Sequence, residues 1–245
     1  MSAGGEDFIK LNALRVEALY NNSATPVAVT LTGCVVLFFV LLNKQNLFPA
    51  ILWLTLLLIV SAIRYYTVMR YHASSKAPEN YNYWLTIFLT GTICSGTILG
   101  STAYIFIVGD DIINAGLLTM FILVLNSGSI GIYSAFMRVY YGYNIPAILP
   151  LIVYMLSSNN VQLNKLGIIF IAFIVFIFVI QYHAHRIMNQ MISVKLDNRN
   201  LLDSYEHDQS KLHILERMYN TNLQELKVVK NELASCREKL KRNNE

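Results

Sequence analysis

Residues 163–182 have the sequence LNKLGIIFIAFIVFIFVIQY, and the chain from there to residue 245 is polar. An apolar run of about 20 residues is long enough to cross a bilayer as a helix. Proline and glycine most often interrupt helices, and neither occurs after Gly167. The stretch therefore predicts a membrane-spanning helix that continues without a break into a long polar helix outside the bilayer.

The polar segment carries a heptad repeat. Positions seven apart from Met191 alternate with a second series that starts at Val194, and most of both series is apolar or aromatic. Apolar residues at alternating spacings of three and four form the seam of a coiled coil. We therefore predict a cytoplasmic signalling and dimerisation helix over residues 184–245. The predicted seam comprises Asn198, Leu201, Tyr205, Asp208, Leu212, Leu215, Tyr219, Asn222, Leu226, Val229, Leu233, Cys236 and Leu240.

A coiled-coil seam needs a second helix to cover it, and the sequence offers no other polar helix of comparable length. A parallel homodimer is expected, because closed symmetric dimers are the commonest assemblies. A complex with a different protein is the alternative. Polar side chains interrupt the seam at Asn198, Asp208 and Asn222. A core asparagine favours one register at some cost in stability, and Asp208 would face its own copy, so the coil is expected to be switchable.

The remainder of the chain is far more apolar than a soluble protein. Of the 245 residues, 55% are hydrophobic and 14% are charged, whereas typical globular proteins have about 25% charged residues. This composition excludes a soluble enzyme, a secreted disulfide scaffold and a single-span receptor with a large ectodomain. We predict an all-α polytopic membrane protein in which residues 25–183 form a six-helix transmembrane sensor domain. The expected spans are residues 26–42, 49–68, 84–108, 112–136, 145–156 and 163–182.

The fifth expected span is the least regular. Pro146 and Pro150 lie near its start, and the polar residues 157–160 follow it. A helix that begins near Tyr140 is the alternative. The count matters because an even number of spans places both termini on the same side of the membrane.

Basic residues indicate the orientation. With six spans, the side that holds the termini carries Lys10, Arg15, Arg64, Arg70, Lys76, Arg138, Arg186 and Lys195, and the opposite side carries Lys44 and Lys165. The positive-inside rule then places both termini in the cytoplasm. Residues 1–24 are expected to form a cytoplasmic amphipathic helix at the membrane surface, and an unanchored polar leader is the alternative.

Small and polar residues mark the third and fourth expected spans. Gly96 and Gly100 are spaced four apart, and Asn126, Ser127 and Ser129 form a polar group. One interpretation is helix packing, since small residues let helices approach closely. The other is a ligand cavity between spans three and four, lined by all five residues.

Chemically active side chains are sparse in the expected spans. No Asp, Glu, Lys or His lies in the middle of a span, which argues against an ion-coupled transporter. His72 ends the second expected span, and His183 and His185 end the sixth. His183 and His185 are two apart and cannot face one metal or haem, so we interpret them as helix-end residues that complement the helix dipole. The sequence therefore predicts no catalytic residue, no cofactor, no metal and no nucleic-acid partner.

The chain also resembles a family of bacterial input modules. The residues that carry the resemblance are LRVEALY at 14–20, Trp53, Arg64, Tyr65, Trp84, Gly91, Gly96, Gly100, Pro146, Pro150 and the heptad segment. The family comprises the six-span N-terminal sensor modules that precede diguanylate cyclase (GGDEF), EAL or histidine-kinase domains. The chain departs from it at Ile98 and Leu99, where an aromatic residue is expected, and at Glu245, where an output domain would begin.

The resemblance implies a multi-pass protein of the bacterial inner membrane that relays a stimulus to a fused or partner output domain. Three hypotheses follow. The first is a signal-input and dimerisation module in contact with membrane lipids, the second a membrane anchor or scaffold that recruits a partner by its coiled coil, and the third a transporter. The chain is not expected to be an enzyme by itself.

Overall fold

The structure, a computed structural model, describes residues 3–43, 46–74 and 78–242. The side chains of residues 3–7, 24–26, 78, 228, 232 and 234–242 lie outside this description, and with them the predicted seam residues Cys236 and Leu240. Lys44 and Lys76, which entered the prediction of orientation, also lie outside the described residues. Within the described part the chain is 92% helical and has no strand, which confirms the all-α prediction.

Eight α-helices follow one another along the described chain. They are α1 (Ala3–Asn21), α2 (Ala24–Leu41), α3 (Leu47–Ala73), α4 (Tyr81–Gly100), α5 (Thr102–Phe106), α6 (Ile112–Tyr133), α7 (Met137–Ser157) and α8 (Val161–Arg242). A 3₁₀ turn at Pro78–Asn80 precedes α4. The predicted long C-terminal helix is therefore present as α8.

Five of the described helical stretches are long and apolar enough to cross a membrane. They are Leu47–Ala73, Tyr81–Phe106, Ile112–Tyr133, Met137–Ser157 and a segment of α8. These stretches indicate an integral membrane protein. The described apolar part of α2, Val27–Leu41, is shorter, so the sixth span stays a prediction.

The starts of α6 and α7 differ in how far the local sequence determines them. Asp111 caps α6, because its Oδ1 accepts hydrogen bonds from the backbone N–H groups of Ile113 (3.0 Å) and Asn114 (3.1 Å). Helix α7 begins at Met137 rather than at residue 145, so Pro146 and Pro150 lie inside it. Transmembrane helices tolerate interior proline when neighbouring groups satisfy the freed backbone. The start expected at residue 145 is therefore wrong, and the alternative start near Tyr140 is close to the observed one.

Helix α1 packs on protein through its apolar face. Leu14, Val16 and Leu19 are buried, and the Tyr20 ring stacks on the Tyr71 ring with centroids 4.1 Å apart. The Tyr20 hydroxyl donates a hydrogen bond to the Trp84 carbonyl oxygen at 3.0 Å. Burial raises the pKa of the Tyr20 phenol, so this donor keeps its proton at neutral pH. Helix α1 therefore packs on the 3₁₀ turn, on α4 and, through Tyr20, on Tyr71 of α3, while its location at a membrane surface stays a prediction.

The helices of residues 1–193 form a closed ring of contacts. Helix α2 packs on α3 and α6, α4 packs on α3 and α7, and α6 packs on α7. Trp53, Leu118, Tyr140 and Leu151 are among the fully buried side chains of this core. Trp53 Nε1 donates a hydrogen bond to the Ile98 carbonyl oxygen at 2.7 Å, which ties α3 to α4. The ring positions the polar side chains of α3, α4, α6 and α7 that are discussed below.

The chain divides into two compact units, Met1–Ser193 and Val194–Glu245. The second unit consists of the C-terminal part of α8, and its described side chains are almost all exposed. Coiled-coil pairing of this unit stays a prediction, because a single chain offers its seam no second helix.

Candidate functional site

The two predicted glycines of α4 lie against the backbone of α7. A Cβ atom added at Gly96 would collide with the Tyr143 carbonyl oxygen, and one added at Gly100 would collide with that of Pro146. Pro150 Cγ would also lie 2.9 Å from the Gly100 Cβ. Backbone atoms cannot move aside as side-chain tips can, so only glycine permits this approach. The small-residue face of the third expected span thus packs on the fifth, and not on the fourth.

The polar residues of α6 are divided between the interior and the surface. Asn126 and Ser129 are buried, and Ser129 Oγ accepts a hydrogen bond from Asn144 Nδ2 of α7 at 3.3 Å. Neither side-chain polar atom of Asn126 has a hydrogen-bond partner in the described chain. Ser127 is exposed, and its hydroxyl donates to the Leu123 carbonyl oxygen at 2.9 Å.

The five residues predicted to line one cavity therefore occupy different surfaces. Gly96 and Gly100 are closed over by α7, Asn126 and Ser129 face the interior, and Ser127 faces outward. A cavity of about 490 Å³ between α2 and α6 does include Ser129 in its lining. Ligand binding at these five positions stays a prediction.

The half-buried guanidinium of Arg64, which was not predicted as a site residue, makes contacts across several helices. Arg64 belongs to α3 and had been counted among the residues that flank the spans. Its Nη1 donates a hydrogen bond to Ser95 Oγ of α4, and its Nη2 donates one to the Tyr133 hydroxyl of α6, each at 3.2 Å. The guanidinium carbon also lies 5.7 Å from the centroid of the Phe88 ring, a cation–π distance. One cation therefore joins three helices of the ring.

A cavity of about 320 Å³ opens beside Arg64, between α3 and α4 and the start of α2. Most of its wall is apolar, and its polar members besides Arg64 are hydroxyl and thiol side chains. The lining consists of Ser23, Val27, Val60, Ile63, Arg64, Thr67, Val68, Thr86, Ile87, Phe88, Thr90, Gly91 and Cys94. Ile63, Thr90 and Cys94 are exposed, so the cavity reaches the outer face of the helices.

The histidines do not assemble into a site. His183 and His185 lie within α8, which continues to Arg242, so the helix-end explanation is wrong for them. His72 is in the last turn of α3. The His185 ring contacts the Ser134 carbonyl oxygen at 2.5 Å and the Asn189 amide nitrogen at 3.0 Å. Among the described residues no group of three or more His, Cys, Asp or Glu side chains is arranged to hold a metal.

The predicted seam of the second unit is an exposed apolar row. The exposed fraction of its described apolar residues runs from 51% at Val229 to 68% at Leu226. Asp208 pairs with Lys211 on the same helix at 3.6 Å, and both side chains are mostly exposed. Such a pair adds little stability in water. The row is therefore available to a second helix.

Comparison with known proteins adds no relative: no family model, no curated protein and no solved structure matches this chain.

Proposed function

We propose that the chain is a membrane-embedded signal-input and dimerisation module. A stimulus changes how the helices of residues 1–193 pack, and α8 carries the change into a parallel coiled coil of two copies. The coil then acts on a fused or partner output domain of the cyclic-di-GMP or two-component type. The exposed seam of α8 is the single observation that supports this function over a transporter or an enzyme.

The energetics of the seam favour pairing. Leu201, Leu212 and Leu226 are each more than half exposed in the single chain. Burying a leucine side chain contributes about 1.5–3 kcal/mol. A helix with such a row also lacks, in isolation, the tertiary contacts that supply most helical stability. Pairing with an identical helix in register covers every seam position at once.

The polar seam positions make the proposed coil adjustable. In a parallel pair Asp208 lies near Asp208 of the second copy, which weakens the seam locally. Asn198 and Asn222 add two further weak points. Two packings that differ by a few kcal/mol form the kind of bistable element that a relay requires.

Six spans with both termini in the cytoplasm complete the proposal. The 18 residues of α2 extend about 27 Å at 1.5 Å per residue. The hydrocarbon core of a bilayer is about 30 Å thick. Because 27 Å is close to that thickness, we count α2 as the first span. The number of spans is then even, which puts the tail on the side that the basic residues indicate.

Disulfide crosslinking in native membranes tests the parallel homodimer. In a full-length background with Cys34→Ala, Cys94→Ala and Cys236→Ser, cysteine is introduced at Leu212 or Leu233, both on the seam. We expect an oxidant to give a disulfide-linked dimer with Leu212→Cys and with Leu233→Cys, because equivalent seam positions meet in a parallel coil. Ser210→Cys, on the opposite side of the helix, is the matched control and should stay monomeric.

Each other outcome has a defined meaning. Equal crosslinking at Ser210→Cys and Leu212→Cys would indicate random collision and count against the seam. No dimer at either seam position would reject the homodimer. Crosslinks from both seam positions to one different protein would replace it with the anchor or scaffold function.

A further inference from the structure

We propose that Arg64 and the 320 Å³ cavity beside it bind an amphiphile with one anionic head group and an apolar chain. For brevity we call this the Arg64 site. It lies wholly within residues 1–193, and its test uses no signalling readout. Failure of that test would therefore leave the dimerisation proposal in place.

The charge of Arg64 is not balanced within the described chain. An arginine that is half-buried on the apolar wall of a helix bundle is costly unless an opposite charge or several acceptors compensate it. The hydrogen-bond partners of Arg64 are two neutral hydroxyl groups, and its third contact is the Phe88 ring. Within the described chain no carboxylate forms an ion pair with it. A ligand with a negative head group would supply the missing charge.

Arg64 also has hydrogen-bond donors to spare for a ligand. A guanidinium has five N–H groups, and two of those of Arg64 are used by Ser95 and Tyr133. The remaining N–H groups match a carboxylate or phosphate, which accept arginine donors in a fork.

The hydroxyl groups of the cavity wall do not compete for this role. Ser23 donates to the Tyr20 carbonyl oxygen, Thr67 to that of Arg64, Thr86 to that of Asn82 and Thr90 to that of Thr86. Each hydroxyl proton is thus used within its own helix segment. Among these lining residues, Arg64 has N–H groups that no hydrogen bond within the described chain uses, which favours an anion over a neutral polar ligand.

The size and the apolar wall of the cavity suit an alkyl chain. At about 30 Å³ for each water-sized group, the cavity holds on the order of ten heavy atoms. Val27, Val60, Ile87 and Phe88 contribute apolar wall, which suits an alkyl chain. Because its rim includes the exposed Ile63 and Cys94, a chain can enter from the surrounding lipid. A medium-chain carboxylic acid or one end of an acidic phospholipid has this chemistry.

Cys94 at the rim provides the readout. The full chain with Cys34→Ala and Cys236→Ser is placed in phosphatidylcholine nanodiscs, and the alkylation rate of Cys94 is measured with a membrane-permeant maleimide. We expect decanoate to slow alkylation saturably and decanol, which has the same chain without the charge, to leave it unchanged. Decanoate should also raise the unfolding midpoint of the protein, because it binds the folded state.

Substitutions assign the effect to Arg64. Arg64→Gln should raise the half-saturating decanoate concentration on the order of tenfold or more, as expected for losing charge-assisted hydrogen bonds. Arg70→Gln, an exposed arginine of the same helix, is the matched control and should bind like the wild type. The comparison of decanoate with decanol in the wild type needs no variant, so it decides the proposal even if Arg64→Gln fails to fold.

Discs of phosphatidylglycerol distinguish the two sources of the anion. If this lipid alone slows alkylation and removes the decanoate effect, an acidic phospholipid occupies the Arg64 site. If decanoate acts equally in both kinds of disc, a free carboxylic acid does. The proposal is overturned if neither anion protects Cys94, if decanol protects as well as decanoate, or if a folded Arg64→Gln binds decanoate like the wild type.

Discussion

Leu151 in α7 and Leu226 in α8 are the same residue type in regular helices, yet Leu151 is fully buried and Leu226 is 68% exposed. In residues 1–193, contacts among helices such as α4, α6 and α7 bury a core of apolar side chains, although others, such as Phe48, stay exposed. In residues 194–242, the described apolar row has no cover within the chain. The first unit therefore has a packed core of its own, whereas the described part of the second has none within the chain. In the dimer that we propose, order in the second unit depends on a partner and so on concentration.

The largest expected loss of stability comes from a substitution at the close contact between α4 and α7. Gly100→Ala places a methyl group against the Pro146 carbonyl oxygen, so α4 and α7 must separate. We expect a loss of about 2 kcal/mol or more in the free energy of unfolding, typical of overpacking that backbone cannot relieve. Unfolding of the purified protein in detergent, titrated with dodecyl sulfate and followed by circular dichroism, measures it.

Gly116→Ala in α6 is the matched control for that loss. A Cβ atom at Gly116 meets nothing within 4 Å. Alanine is a better helix former than glycine by about 1 kcal/mol, so this variant should be neutral or slightly more stable. Equal destabilisation by the two substitutions would mean that α4 and α7 are not in backbone contact.

Features that depend on neighbouring residues in sequence were accessible from the sequence, and features that depend on distant ones were not. Apolar runs and the missing helix breakers predicted the all-α fold and the long α8. The spacing of Gly96 and Gly100 predicted a close contact but could not identify α7 as its partner. Pro146 and Pro150 suggested a late start for α7, whereas packing on α4 keeps both prolines inside the helix.

Arg64 at the candidate site is a second feature that depends on residues distant in the sequence. With Arg70 shortly after it, the residue looked like part of a cytoplasmic flank. Its role is set by Ser95 and Tyr133, which follow it by 31 and 69 residues in the sequence. A lone arginine inside the expected span 49–68 was the signal that could have indicated a half-buried cation between helices.

A smaller effect, on dimer association, is expected from truncating one leucine of the exposed seam. In the proposed dimer, Leu226→Ala removes apolar surface from the seam and should weaken association by roughly 1–2 kcal/mol per chain. The unfolding of residues 1–193 should not change. Sedimentation of the detergent-solubilised full chain over a range of concentrations measures the association. Gln224→Ala, off the seam, should leave it unaltered, and equal loss in both variants would contradict the assigned register.

The smallest expected loss of stability concerns α1. This helix was predicted to lie at a membrane surface, and in the structure it packs on α4 and on Tyr71 of α3. Tyr20→Phe keeps the ring stacked on Tyr71 and removes only the hydrogen bond to the Trp84 carbonyl oxygen. We expect a loss of about 1 kcal/mol in the dodecyl sulfate titration, the usual net value of one hydrogen bond. Faster proteolysis within residues 1–24 should accompany it.

Tyr83→Phe is the control for α1, because Tyr83 is 57% exposed on α4 and its substitution should stay within about 0.5 kcal/mol of the wild type. A Tyr20→Phe protein as stable as Tyr83→Phe would show that the hydroxyl contributes nothing to the attachment of α1. The attachment would then rest on the stacked rings and on the buried apolar face of α1. A loss confined to Tyr20→Phe would instead show that the hydrogen bond to the Trp84 carbonyl oxygen adds to this apolar packing, which the exposed row of the second unit lacks within the chain.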